Sequence, residues 1–195
     1  MLPSRQRHLI CALAVIVLAA GCGEPDPGAA DAGVDAGPHG QGSEARGDLV
    51  VNEISPQGDG ADWIELYNRS DAEVDLCGWF LTDQADRLDH FLPLGGVMPP
   101  AACAARALAA GAYVVIYADD TIAAEGQPID PEHAPFQLGG ADEVHLVAID
   151  GIVGDGVLYL YPADGDGATL ARHPDGEGLF FATAPSPGEP NPELP

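Results

Sequence analysis

The side chains that could carry chemistry are few and widely spaced. Beyond residue 21 the serines are Ser43, Ser55, Ser70 and Ser186. None sits in the Gly-x-Ser-x-Gly turn that exposes a hydrolase nucleophile. His39, His90, His133, His145 and His173 stand apart, with no His-Glu-x-x-His pair and no Cys-x-x-Cys to organise zinc. His145 falls in a strand-like stretch and reads as a surface or half-buried residue. Glu53 and Glu65 would make a carboxylate pair for general acid–base work if their strands were neighbours. The acidic turns offer another chemistry. Asp150 and Asp155 flank a predicted hairpin, Asp164 and Asp166 lie in a Gly-rich turn, and clustered oxygens of this kind suit Ca²⁺. The spacing lacks the third ligand and the position-12 Glu of an EF-hand, and hydrophilic turns explain the same residues. Calcium is the one cofactor the sequence raises. The Gly-Asp-Gly turns carry the wrong charge for a phosphate loop.

The cysteines depend on what happens to the N-terminus. Arg5 and Arg7 precede an unbroken apolar run over residues 9–20, LICALAVIVLAA. A helix spanning a bilayer needs about 20 such residues, so the run reads as the core of a signal peptide. It ends at Ala19-Ala20-Gly21-Cys22, which resembles the bacterial lipobox; Ala19 stands where Leu is commoner, with Leu18 one place early. The resemblance implies that residues 1–21 are removed and Cys22 is acylated, anchoring the chain to a membrane. The competing reading is ordinary secretory cleavage. Gly23 is not an acidic retention signal, so the outer membrane is the expected destination. With Cys11 removed and Cys22 acylated, Cys77 and Cys103 remain. In an oxidising envelope they read as a disulfide contributing about 3–4 kcal/mol, against the alternative of two free thiols.

Residues 22–47 are rich in Gly, Ala, Pro and Asp, with almost no apolar side chain larger than Ala. Such a segment does not repay the entropy of ordering and reads as a disordered tether with a reach of about 25–30 Å. Charge limits the partners. The chain has 31 acidic residues against 7 basic ones, a formal net charge of -24, and every basic residue is an arginine. Nucleic-acid binding draws on Lys and Arg clusters, which are missing here. The acidity fits solubility in a salty habitat, diffuse cation binding or a basic partner.

From residue 48 the pattern changes to short runs rich in β-branched and aromatic residues. They cover 48–55, 62–68, 73–76, 79–82, 112–118, 143–149 and 157–161. Gly58-Asp59-Gly60, Arg69-Ser70-Asp71, Gly139-Gly140 and Asp150-Gly151 supply turns, the last as a hairpin. No helix-length spacing separates the strands, which predicts an all-β antiparallel sandwich. Ile64 and Leu66 should face the core, with Trp63, Glu65 and Tyr67 on the other side. Alanine-rich 101–110 is expected to form a short helix within a loop.

Asn52-Glu53-Ile54, then Asp62-Trp63-Ile64-Glu65-Leu66-Tyr67-Asn68, then Val74-Asp75-Leu76-Cys77-Gly78-Trp79 resemble the lamin tail domain. Residues 111–116, Asp150-Gly151, 170–176 (LARHPDG) and Ser186-Pro187-Gly188-Glu189-Pro190-Asn191 resemble its later landmarks in order. The resemblance implies an immunoglobulin-like β-sandwich over 48–192, makes Glu53 and Glu65 framework residues, and in bacteria points to an extracytoplasmic interaction module. The stretch 98–111 and the acidic loop 119–135 depart from the family pattern. Three functions follow: an anchored interaction or adhesion module for a protein or polysaccharide at the cell envelope, a structural spacer, or a metal-dependent hydrolase or nuclease. The first is the reading adopted, with no catalytic residues assigned.

Overall fold

The computed structural model describes residues 40–42, 47–56, 60–98, 103, 105–161 and 167–194. The signal segment, Cys22, most of the tether, Asp164 and Asp166 lie outside them.

Thirteen strands and one 3-10 turn are formed among the described residues. In chain order they are β1 (Gly40–Gly42), β2 (Leu49–Ser55), β3 (Asp62–Asn68), β4 (Val74–Asp75), β5 (Trp79–Thr82), the turn Leu88–His90, β6 (Leu92–Pro93), β7 (Ala107–Leu108), β8 (Tyr113–Ala118), β9 (His133–Ala134), β10 (Ala141–Ala148), β11 (Val153–Leu160), β12 (Thr169–His173) and β13 (Leu179–Thr183). Eleven of them form one ladder in the order β6-β5-β10-β11-β1-β13-β12-β2-β3-β8-β9, and β4 pairs with β7. All pairings are antiparallel except β8 with β9. The ladder folds back so that β2 packs against β11, which is not its hydrogen-bonded neighbour. The result is the immunoglobulin-like sandwich expected of the sequence.

The hydrophobic pattern explains the layers. Ile64 and Leu66 alternate into the core from β3, where they meet Ile54, Leu146 and Phe180, all fully buried. Burying a side chain of this size contributes about 1.5–3 kcal/mol. β2 is buried along its whole length, because it lies between β12 and β3 in the ladder and is covered on both faces. Two bulges adjust the ladder. One places Asn52 as an extra residue between the pairs Val51↔Leu66 and Glu53↔Glu65. The other puts Gly154 between Val147↔Val153 and Leu146↔Asp155. At Gly154 a Cβ would stand 2.6 Å from the Trp79 ring, so the missing side chain makes room for the indole.

Several expectations need correction. The tether does not run unstructured to residue 47, since Gly40–Gly42 pairs with β11 and β13; strand pairing there uses backbone groups alone and leaves no trace in hydrophobicity. Within the segment expected to be helical, Ala107–Leu108 is a strand held by β4, and Leu76 N–H donates to the Arg106 carbonyl at 2.7 Å. Pairing with a neighbour has overridden the helical preference of alanine. The ladder ends in the two-residue β6 and β9, which leaves little free edge for an added strand.

Candidate functional site

Two regions gather the polar and exposed apolar side chains that could matter for function. The first is a closed carboxylate cluster. Glu53 and Glu65 are direct cross-strand partners and both are fully buried. Glu53 accepts from the Thr169 hydroxyl, from Ser186 N–H at 3.1 Å and from the Ser186 hydroxyl at 2.8 Å. Glu65 accepts from Asn52 Nδ2 at 3.1 Å and from Gly188 N–H at 2.6 Å. The bulge aims Asn52 into this cluster, where it also donates to Asp175 (3.1 Å) and accepts from Gly176 N–H (2.8 Å). Asp175 in turn accepts from the Tyr113 hydroxyl (2.9 Å) and from Asn191 N–H (3.1 Å). Residues 186–191 thus close over β2 and β3 as a clasp, which is why Glu65 is buried although it lies opposite the Ile64–Leu66 face.

Burial dominates the electrostatics here. It pushes Glu65 up to about 7, against the Gly188 and Asn52 hydrogen bonds, with the Glu53 and Asp175 charges adding to the rise. Burial also raises Glu53, opposed by the bonds from Thr169 and Ser186. The pairing that acid–base chemistry would require is therefore present. Its carboxylate oxygens, however, are turned inward and taken up by protein donors, leaving no approach for a substrate.

A second buried pair stitches the two layers together. Asp155 and Arg172 are 0% and 2% exposed, and Arg172 Nη2 donates to both Asp155 oxygens at 2.8 and 2.9 Å. Arg172 Nε donates to the Val51 carbonyl (2.7 Å), Val51 N–H donates to Asp155 (2.8 Å), and the guanidinium lies 4.6 Å from the centre of the Phe180 ring. This removes Asp155 from the expected calcium ligands, because it is committed to Arg172 in the interior, while Asp150 is exposed in the hairpin turn, where it accepts from Ile152 N–H. Asp164 and Asp166 lie outside the described residues. Among the described residues no group of three or more His, Cys, Asp or Glu side chains could hold a metal ion. Cys77 and Cys103 form a disulfide with their Cα atoms 5.9 Å apart, packed against Gly95.

The second region is open. Loop 119–135 leaves β8 and returns as β9 beside it, and its base is tied by His133 Nδ1 to Asp119 at 2.6 Å. The hydrogen bond that His133 donates to the Asp119 carboxylate raises the imidazole above its usual value, with desolvation opposing. Tyr117 stacks on the His133 ring at 5.4 Å. Ile129 packs on the core, whereas Ile122 is 76% exposed. Facing the loop is the turn that carries Leu88, 79% exposed, and further along Met98, 46% exposed. Between them lies a groove of about 420 Å³ whose floor includes Phe91, Leu92, Pro93 and Pro135.

The family model described as Lamin Tail Domain matches residues 42–175. The chain belongs to the lamin tail domain family. A comparison with curated proteins finds no match. The lamin tail match contains both bulges, the disulfide, the Asp155–Arg172 pair and the whole of loop 119–135, while the clasp at 186–191 falls beyond it. The pattern of strands did not mark the groove residues as functional. A signal was available, since Leu88 and Ile122 are isolated large apolar residues inside acidic, non-periodic stretches (ADRLDH and DDTIAAEG) where neither 3.6-residue nor two-residue alternation assigns them to a core.

Proposed function

We propose that this lamin tail domain is a lipid-anchored, extracytoplasmic interaction or adhesion module with no catalytic activity of its own. It is held through Cys22 at the outer membrane and uses loop 119–135 as its binding surface. The observation that carries the reading is the contrast in exposure. Buried carboxylates are consumed by internal bonds, while Leu88, Met98 and Ile122 stand in solvent around one groove. Exposed apolar side chains rimmed by polar ones are a common mark of interaction surfaces. The short ladder ends favour loops over strand addition. The lipobox-like Ala19-Ala20-Gly21-Cys22 supports the anchor, and acyl chains at about 0.8 kcal/mol per buried methylene would make it durable.

In-cell crosslinking from the intact chain, read by mass spectrometry, tests this reading. The control carries Cys22→Ser behind an ordinary secretory signal. The anchored form should partition with membranes and the control should not; unchanged partitioning would remove the lipid anchor. One protein or envelope polysaccharide should be captured reproducibly and lost when loop 119–135 is shortened. Recovery of abundant envelope neighbours alone would instead mark a spacer.

A further inference from the structure

We propose that the groove beside loop 119–135 takes a cationic peptide segment that inserts one or two large apolar side chains. This rests on the interaction-module reading and names its partner class. The volume of about 420 Å³ lies within the range of ligand pockets, roughly 300–1,000 Å³. Leu88 and Ile122, at 79% and 76% exposed, stand at its two sides, where an entering apolar side chain would cover both.

Charge selects the partner. Asp130 lines the groove and is exposed, the exposed carboxylates Asp86, Asp120 and Glu125 lie on the two segments that carry Leu88 and Ile122, and the nearby cations are already engaged. Arg87 pairs with Asp89, Arg106 binds Glu132 and the Leu94 carbonyl, and His133 pairs with Asp119. A lysine- or arginine-bearing segment would meet an uncompensated negative rim and an apolar floor together. The same rim would repel an anionic lipid surface. A glycan is also disfavoured, because sugar faces stack on flat aromatic rings and Phe91 is the one Phe, Tyr or Trp in the lining.

Fluorescence anisotropy with the mature chain carrying Cys22→Ser tests the proposal. The probe is a labelled ten-residue peptide of lysine and serine with two central leucines. Two further peptides replace the leucines by serine or the lysines by glutamate. The first peptide should bind, with affinity falling as salt rises. Each altered peptide should bind at least about tenfold more weakly, a difference of about 1.4 kcal/mol. Leu88→Ala combined with Ile122→Ala should weaken the first peptide by a similar factor. Leu158→Ala with Leu160→Ala, at positions 65% and 66% exposed on β11, should leave binding unchanged. Failure of the first peptide to bind, equal binding of the leucine-free peptide, or equal binding by the Leu88/Ile122 variant would overturn the proposal. If crosslinking still captured a partner in that event, the interaction module would stand with another binding surface. If neither experiment found a partner, both readings would fall.

Discussion

The carboxylate cluster and the groove belong to the same acidic protein, yet they are built in opposite ways. Around Glu53 and Glu65 each carboxylate oxygen has a donor, drawn from β2, β12 and the 186–191 clasp. At the groove, Leu88 and Ile122 are in water and the neighbouring carboxylates Asp86, Asp120 and Glu125 are exposed. A satisfied interior cluster holds the fold together and has nothing to offer a ligand. An exposed apolar rim contributes little to folding and has much to gain from a partner. Substitutions should therefore separate the two regions, with stability lost at one and binding lost at the other.

The largest effect should come from the buried ion pair beside the cluster. Arg172→Ala removes the guanidinium from the buried Asp155 carboxyl between the layers, and should lower the unfolding free energy by about 3–5 kcal/mol in urea titrations. A loss below about 1 kcal/mol would mean that the pair does not join the layers. Next is the pH dependence of the cluster itself. Glu65 is pushed up to about 7 and Glu53 is raised, so the folded state holds these protons more tightly than the unfolded chain. The stability they supply is complete below the ordinary carboxylate value and is lost as pH rises through about 7. Thermal unfolding should accordingly give a higher Tm at pH 5 than at pH 8, and ¹³C titration of the Glu65 carboxyl should place its midpoint near 7. A midpoint near 4.5 would show that the clasp donors outweigh burial.

Ser186→Ala should cost about 1–3 kcal/mol, because it removes the hydroxyl donor from the buried Glu53 and leaves the backbone bond in place. It should not alter binding at the groove. The smallest effect on stability belongs to the groove. Leu88→Ala and Ile122→Ala should each change the unfolding free energy by no more than about 0.5 kcal/mol, as exposed substitutions do, while reducing partner capture. A large loss of stability from either would place it in the core and erase the contrast between the regions.

Much of the architecture was legible in the residues. Alternation placed Ile64 and Leu66 in the core, the 62–68 and 79–82 runs coincide with β3 and β5, and Asp150-Gly151 is the β10–β11 hairpin. These are local signals: side-chain period, β-branched content and turn chemistry act over a few residues and need no knowledge of neighbours. The order of the motifs likewise identified the family before any contact was known.

Other features were decided only when distant segments met. Glu65 is buried because the 186–191 clasp covers it, Asp155 is structural because Arg172 reaches it across two layers, and Gly40–Gly42 is a strand because β11 and β13 offer it backbone partners. The groove arises where loop 119–135 and the Leu88 turn come together. A carboxylate has the same identity in a turn, in an ion pair or in a buried cluster. Its role depends on which donors and how much water surround it, and those are set by contacts between residues far apart in the chain.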